Sequence, residues 1–327
     1  MRRRDFIAVL GGAAAAGPVA AFAQTSGAVH RAGLLGSGSP LGDASPMVKG
    51  LGAGFARRGY TLGRDLVFER RAALGHPERL LSLVEELAAS GAQLIVTSGY
   101  PAALAAKQHA TIPVVVTNAG DPVATGLVQS LAHPGGHVTG MSEIASELSA
   151  KRLQLLTETV PKVRKVAMLW NADDLGMTLR YRAADRAAGE LHITVEPLGV
   201  REPDDFAAAF AAMTHDPPDA ILMVTDALTI LNHKRVFDFA AAHRLPAIYE
   251  FDFLVRDGGL MSYGPDMADL YDRAAGLADR ILKGANPADL PLEEPTRFRF
   301  AVNLKTAKAI GLRVPAMVLA QADEVIE

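Results

Sequence analysis

Two strand-loop-helix patterns follow each other almost without interruption between Leu94 and Leu131, and they constrain the fold more than any other stretch. The runs Leu94–Val96 and Val114–Val116 are short, mostly β-branched and uniformly apolar, which is typical of strands covered on both faces in a parallel sheet. Each run is followed by small and polar residues and then by an apolar pattern with helical spacing. We therefore predict an α/β fold with the ligand site at the loops beyond the carboxyl ends of parallel strands.

The same alternation continues on both sides of this stretch, in two similar halves. Further strands are predicted at His30–Leu35, Leu66–Arg70, His137–Met141, Lys165–Trp170, His192–Glu196, Ala220–Val224, Pro246–Tyr249, Gly259–Ser262 and Arg297–Val302. Helices are predicted at Pro46–Arg58, Glu78–Ala89, Ser146–Thr159, Leu179–Gly189, Asp204–Met213, Ala227–His243, Met267–Leu282 and Leu304–Ile310. A chain of 327 residues is too long for one ordinary core, so two doubly wound parallel-sheet domains are expected.

The first 23 residues have the pattern of an export signal. Arg3 and Arg4 precede an Ala/Gly-rich apolar segment that ends in Ala21-Phe22-Ala23, a small-residue cleavage site that would leave Gln24 first. The arginine pair indicates the twin-arginine export machinery. The alternative is a weakly apolar membrane anchor, but the segment is shorter than the roughly 20 strongly apolar residues that a span needs. We expect cleavage and a soluble periplasmic protein.

Composition excludes some classes of partner. The net charge is −3 and would become −5 without residues 1–23, so nothing indicates a nucleic-acid partner. The chain has no cysteine, hence no disulfide framework and no lipidated cysteine. His133 and His137 have the spacing of a metal pair, but Pro134-Gly135-Gly136 cannot hold them on one helix, so no metal site is expected.

Several motifs, in order along the chain, resemble one known family. They are the twin-arginine leader, Tyr100–Lys107, Asp121-Pro122-Val123, His133–Gly140, Gly259–Pro265 and Asn303–Lys308. Together they closely resemble the periplasmic substrate-binding proteins of ABC importers, in the family that includes tryptophan and tyrosine receptors. The resemblance implies a type 1 periplasmic binding fold, with two lobes joined by three hinge crossovers around a ligand cleft. It also implies a small-molecule ligand and an ABC transporter permease as partners, no cofactor and no enzymatic activity.

The lobe boundaries follow from this pattern of crossovers, which we expect near 141–144, 249–251 and 294–297. Lobe 1 would contain residues 28–142 and 250–295, and lobe 2 would contain residues 143–249 and 296–327. Closure of two such lobes about their hinges sequesters a small ligand.

An amino-acid-like ligand needs donors for its carboxylate and acceptors for its ammonium group. Backbone N–H groups at helix N-termini serve the carboxylate, and Ser37-Gly38-Ser39 and Ser98-Gly99-Tyr100 are predicted at such positions. The alternative for each serine is ordinary helix capping. Asp121 and Asp226 each follow a buried strand and could accept from ammonium or cap a helix; we favour the ligand role for Asp226. Glu250, in the predicted second hinge, is a ligand contact or part of a hinge salt bridge.

Aromatic and polar residues complete the candidate set. Tyr100, Tyr249 and Tyr263 could stack on a flat ligand group, although some are expected to be packing residues. Asn171 and Ser262 are the remaining candidates. Trp170 stands where the resembling family has an aliphatic residue, so the resemblance does not fix the ligand.

Other functions fit less well. An exported nicotinamide-dependent oxidoreductase is the main alternative, because Gly36-Ser37-Gly38 follows a strand, but the third glycine is misplaced and the turn to the helix is too long for a dinucleotide loop. A hydrolase lacks its G-x-S-x-G elbow. A sugar-responsive repressor would begin with a DNA-binding headpiece instead of an export signal.

Overall fold

The computed structural model describes residues 29–160 and 162–327, so the expected leader and its Ala23–Gln24 cleavage site lie outside the described residues. The strands are β1 (His30–Gly36), β2 (Leu66–Ala72), β3 (Leu94–Ser98), β4 (Val114–Val116), β5 (Val138–Gly140), β6 (Lys165–Asn171), β7 (Thr194–Val200), β8 (Ala220–Met223), β9 (Ala247–Tyr249), β10 (Met261–Pro265), β11 (Phe298–Asn303) and β12 (Glu324–Ile326). The helices are α1 (Pro46–Arg57), α2 (Leu80–Ala89), α3 (Tyr100–His109), α4 (Ala145–Thr159), α5 (Leu175–Glu190), α6 (Asp205–His215), α7 (Ala227–Ala242), α8 (Asp252–Arg256), α9 (Met267–Leu282), α10 (Leu304–Ala309) and α11 (Ala316–Leu319).

Two sheets organise the described chain, as the sequence predicts. The first has the order β2-β1-β3-β4-β5 with parallel pairing throughout. The second has the order β12-β11-β10-β9-β8-β6-β7 and is parallel except between β10 and β11. Each sheet is covered on both faces: α1 and α9 oppose α2 and α3 on the first, and α4, α5 and α10 oppose α6, α7 and α8 on the second. The α/β fold with two doubly wound lobes is therefore confirmed.

Uniformly apolar strands form the centre of both sheets. Leu94–Val96 and Val114–Val116 are fully buried, as are Ala220–Met223 in the second sheet. Strands buried on both faces have no solvent-facing side chains, which is why their sequences do not alternate. The carboxyl ends of the parallel strands in each sheet point toward the other lobe.

The segment after β4 differs from its predicted helix. Residues 122–131 form turns, in which the Thr125 N–H donates to the Asp121 carbonyl and the Gly126 N–H to the Val123 carbonyl. Gly126 has a φ of +73°, in the left-handed region that ends helical hydrogen bonding. The apolar residues Leu127 and Val128 are buried without a helix, so their spacing alone was misleading.

The second passage between the lobes also differs from the expectation. Residues 250–265 belong to lobe 2, because β10 pairs with β9 and β11, and the chain reaches lobe 1 only at α9. The passage is therefore at Pro265–Met267, next to Arg297, whose carbonyl accepts from the Asp266 N–H at 2.9 Å. Local sequence pattern predicts that a strand forms but does not specify which sheet it joins. The other two passages run side by side, joined by a bridge between Met141 and Glu293.

Three short elements, α8, α11 and β12, were not predicted from the sequence. Within residues 29–160 and 162–327, no helix is both long and apolar enough to cross a membrane.

Candidate functional site

The loops at the carboxyl ends of the two sheets touch each other, and we call the region between them the cleft. A Cβ atom built on Gly38 of lobe 1 would lie 3.3 Å from the Cα of Ala227 in lobe 2. A Cβ built on Gly75 would lie 2.9 Å from Leu231 Cδ1, and one on Gly176 would lie 3.7 Å from Tyr100 Cβ. The structure thus has the two lobes closed on one another.

The predicted serines of lobe 1 hold the loops in place. Ser37 does not precede its own helix, because α1 begins only at Pro46; instead the Ser37 Oγ accepts from the Ala102 N–H of α3 at 3.2 Å. The Ser98 carbonyl accepts from the Ser37 N–H at 3.3 Å. Gly38 is half-buried at the cleft and Ser39 is exposed. The β1 and β3 loops therefore form one unit at the start of α3.

The start of α3 depends on a glycine. Gly99 is its N-cap with a φ of +90°, a conformation that other residues adopt only with strain. The next residue, Tyr100, is 8% exposed and faces α5 of lobe 2. Burial and the charge of Asp174 raise the pKa of the Tyr100 hydroxyl. The start of α3 and this tyrosine therefore belong to the part of lobe 1 that contacts lobe 2.

Asp121 of lobe 1 links the lobes because its side chain accepts hydrogen bonds from the first turn of α4. Its Oδ2 accepts from the Ser146 N–H at 3.1 Å and from the Ser146 hydroxyl, at the first turn of α4. Because α4 packs in lobe 2, Asp121 stabilises the passage from lobe 1 to lobe 2. A ligand role for Asp121 stays a prediction.

Asp226 caps α7 and binds Asn171, which brings two predicted residues together. Its Oδ1 accepts from the Thr229 N–H at 2.9 Å, and the Thr229 hydroxyl oxygen accepts from the Asp226 N–H at 2.9 Å, which completes a capping box. Its Oδ2 accepts from Asn171 Nδ2 at 2.6 Å. The capping alternative is thus present, and a ligand contact through Asp226 stays a prediction.

Asp174, which was not among the predicted residues, lies in the same part of lobe 2. Its Oδ1 caps α5 by accepting from the Met177 N–H at 3.2 Å. Its Oδ2 is buried without a partner in the described chain, and the residue is only 4% exposed. Burial, followed by the charge of Asp226, raises the pKa of the Asp174 carboxyl to about 6.

Beneath the cleft lies a buried group of four charges, the ion cluster, made of Glu143, Arg152, Arg180 and Glu250. Arg180 Nη1 donates to Glu250 Oε2 at 2.6 Å, and Arg180 Nη2 donates to Glu143 Oε2 at 3.1 Å. Arg152 Nη1 lies 2.8 Å from Glu250 Oε1. The two atoms form an ion pair, but their geometry does not meet the angles of a hydrogen bond. All four side chains are at most 4% exposed. The predicted salt bridge of Glu250 is therefore present, with two arginines.

Backbone groups complete the ion cluster. Glu143 Oε2 accepts from the Gly120 N–H of lobe 1, and Glu250 Oε2 accepts from the Thr225 N–H, both at 2.8 Å. Burial raises the pKa of the Glu143 carboxyl and lowers that of Arg152. Burial also acts to lower the pKa of Arg180, but Glu250 and Glu143 outweigh it and raise that pKa. The difference arises because Arg180 binds two carboxylates and Arg152 only one.

The two arginines were missed, yet the sequence carries a signal for each. Arg152 occupies the i, i+4 stripe of α4 with Leu148 and Leu156, and Arg180 follows Met177 on the buried stripe of α5. A charged residue on the apolar stripe of an amphipathic helix requires a buried counter-charge.

Tyr249 lies away from the cleft, although the sequence analysis places it among the candidates for stacking on the ligand. It is 1% exposed and its ring packs at 5.0 Å from Phe237 in the core of lobe 2, because neighbouring strand residues face opposite sides and Glu250 takes the cleft side. Tyr249 lines a pocket of about 520 Å³ between α7 and α10, which includes none of the other predicted ligand residues. We regard that pocket as separate from the cleft.

Ser262 and Tyr263 lie in β10, at the lobe 2 side of the second passage. Ser262 is fully buried, and its hydroxyl has no partner in the described chain. The Tyr263 ring stacks on Phe298 at 6.0 Å, and its carbonyl accepts from Arg152 Nε at 2.7 Å. Tyr263 thus packs in lobe 2 and supports the ion cluster, and its ligand role stays a prediction.

Comparison with known proteins gives consistent results. A family model described as ABC transporter substrate binding protein matches residues 43–326. A tyrosine-binding protein of Clostridioides difficile is 26% identical over 258 residues, covering 78% of this chain and 74% of the relative. The structure of an ABC domain in complex with L-Trp from Streptococcus pneumoniae is 25% identical, with a TM-score of 0.83 over 91% of this chain and 99% of the other.

A third comparison is with an open form. The ligand-free, open structure of a substrate-binding protein with adhesive properties from Clostridium difficile is 22% identical. It covers 91% of this chain and 99% of its own, with a TM-score of 0.67.

Proposed function

The chain belongs to the ABC transporter substrate-binding protein family and is a solute-binding receptor of an ABC transporter; from that premise we propose that its solute is an aromatic amino acid. The alternative of a nicotinamide-dependent oxidoreductase is not supported by any of the comparisons. We also propose that the receptor delivers its ligand to the permease and acts without catalysis.

The proposed ligand class rests on one observation: the two lobes contribute different polar groups to the cleft. Lobe 1 contributes the serine loops and the start of α3 at Tyr100, which suit a carboxylate and a flat ring. Lobe 2 contributes Asp174 and Asp226, which suit an ammonium group. The names of two relatives, one tyrosine-binding and one in complex with L-Trp, favour an aromatic side chain over a small one.

A ligand screen by thermal shift and calorimetry tests this proposal. The protein is unfolded and refolded first, so that any co-purified solute is removed. L-tyrosine or L-tryptophan should stabilise it by about 2.7 kcal/mol at roughly a hundredfold excess over the Kd. NAD is the control and should give no shift. Stabilisation by a sugar or by NAD, without any response to amino acids, would contradict the proposal.

We also propose that the protein is exported folded by the twin-arginine machinery and is released in the periplasm after cleavage between Ala23 and Gln24. Arg3→Lys combined with Arg4→Lys should leave precursor in the cytoplasm, because the arginine pair is what the machinery recognises. N-terminal sequencing of the periplasmic protein checks the cleavage point. Normal export of the double variant would refute the twin-arginine assignment.

A further inference from the structure

We infer that the buried carboxylate of Asp174, together with Asp226, forms the subsite that binds the ligand's protonated amino group. The inference rests on the proposed function in that it concerns the same cleft, but it names a requirement of its own: the ligand must carry an amine.

The first argument is an unsatisfied atom. Asp174 Oδ2 is buried and has no partner among residues 29–160 and 162–327, although its Oδ1 caps α5. A buried carboxylate oxygen without a hydrogen bond costs free energy, and a bound donor such as an ammonium group would remove that cost. In the adjacent loop, the hydroxyl of Thr225, which is 6% exposed, also lacks a partner in the described chain.

The second argument is the local balance of charge. No ion pair in the described part of the chain includes Asp174 or Asp226, whereas each carboxylate of the ion cluster contacts at least one arginine. Asp226 satisfies its two oxygens with the Thr229 N–H and the neutral amide of Asn171. Two carboxylates without an ion-pair partner leave this side of the cleft negative, and an ammonium group would offset one of the two charges.

The third argument is position between the lobes. Three groups from different elements face Asp174: Asp226 from the start of α7, Arg180 from α5 and Tyr100 from α3 of lobe 1. Arg180 cannot neutralise Asp174 fully, because its guanidinium is held by Glu250 and Glu143. A ligand with its ring against Tyr100 would have its amino group within reach of Asp174, and closure of the lobes would desolvate the pair.

The experiment compares an amino acid with its deamino analogue in calorimetric titrations. L-tyrosine and 3-(4-hydroxyphenyl)propionate are the probes, and wild type, Asp174→Asn and Asp173→Asn are the proteins. Asparagine is as good an N-cap as aspartate, so the first variant removes the charge and keeps the helix start. Asp173 is the matched control because it is in the same loop but exposed, where it pairs with Arg201.

Asp174→Asn should weaken L-tyrosine binding at least tenfold, while its affinity for the deamino analogue should change less than twofold. Asp173→Asn should bind both probes as wild type does. Between pH 7.5 and pH 5.0 the wild type should lose about tenfold in affinity for L-tyrosine, because a carboxyl with a pKa of about 6 becomes mostly protonated. Asp174→Asn should lack this dependence. Equal loss for both probes, or none, would overturn the inference.

A failure of the proposed function gives a different result. If wild type binds neither tyrosine nor tryptophan, the aromatic class is wrong, and the same three proteins are titrated with lysine, alanine and putrescine. Binding of one of these with loss in Asp174→Asn retains the amine subsite. If none of these amines binds, or if a co-purified solute identified by native mass spectrometry lacks an amine, the inference is overturned as well.

Discussion

Two places beside the cleft bury charged side chains, and they differ in how the charge is balanced. In the ion cluster, three ion pairs of 2.6 to 3.1 Å join two carboxylates and two guanidinium groups, and backbone N–H groups donate further bonds. Asp174 is buried to a similar degree, yet one of its oxygens has no partner in the described chain. Burial of charge alone therefore does not distinguish the two places; the difference is that each carboxylate of the ion cluster has an arginine as ion-pair partner, whereas Asp174 has no ion-pair partner in the described chain.

The largest effect is expected from breaking the ion cluster. Glu250→Ala leaves Arg152 and Arg180 with Glu143 as their one remaining carboxylate in the cluster, and removing one partner of a buried pair commonly costs about 3–5 kcal/mol. Chemical denaturation of the unliganded protein at pH 7 measures the loss in the free energy of unfolding.

Glu324→Ala is the matched control for Glu250→Ala. Glu324 also pairs with two arginines, Arg256 and Arg299, but these side chains are 48% and 34% exposed. Removing such a partly exposed carboxylate should lower the free energy of unfolding by at most about 1 kcal/mol. If the two variants lost equal stability, the ion cluster would not be the structural element that its burial indicates.

Asp174→Asn should have the opposite effect on stability from Glu250→Ala: it should stabilise the unliganded protein at pH 8. Burial raises the pKa of Asp174 to about 6, above its unfolded value, so the folded state disfavours the ionised carboxylate. The wild type therefore loses stability as pH rises from about 4 to about 6, by at most about 3 kcal/mol at 1.36 kcal/mol per pKa unit. The asparagine variant avoids this loss.

Melting curves of both proteins at pH 4 and pH 8 check the sign. The advantage of Asp174→Asn should be present at pH 8 and nearly absent at pH 4, where the wild-type carboxyl is protonated. An Asp174 that serves only as an α5 cap would give equal stability at both pH values, because asparagine caps equally well.

The contact between the lobes gives a smaller effect. Gly38→Val adds methyl groups where a Cβ alone is already 3.3 Å from Ala227 Cα, so it should oppose closure without affecting either lobe by itself. Affinity for the ligand should fall at least tenfold, about 1.4 kcal/mol. Gly42→Val in the same loop is the control, since nothing lies within 4 Å of its Cβ position. Small-angle scattering at saturating ligand should show Gly38→Val less compact; an unchanged radius would contradict closure as the cause.

How far the sequence predicts this molecule depends on the range of the interactions. Buried strands such as Leu94–Val96 and helices such as Met267–Leu282 follow from local pattern, and the structure has them there. The sheet that β10 joins could not be predicted, because it depends on contacts with distant strands. Asp174 and Asp226 look alike in sequence, as acidic residues that start helices. Within residues 29–160 and 162–327, Asp226 Oδ2 accepts from the Asn171 side-chain amide, whereas Asp174 Oδ2 has no partner, and local sequence does not reveal this difference.

The smallest effect should come from Trp170, the single tryptophan of the chain, which directly precedes Asn171. Its ring stacks on Tyr181 with centroids 4.2 Å apart and an interplanar angle of 1°, and it lies against Gly199, so it faces the α5 and β7 side and not the cleft. Trp170→Phe should therefore change ligand affinity less than twofold, about 0.4 kcal/mol, even though the substitution is one residue from the cleft loop. Calorimetric titration of this variant beside Asp174→Asn shows which of the two side chains the ligand affinity depends on. A tenfold loss in Trp170→Phe would mean that the ligand depends on the aromatic stack, and the contrast between paired and unpaired charge would then not be sufficient to define the site.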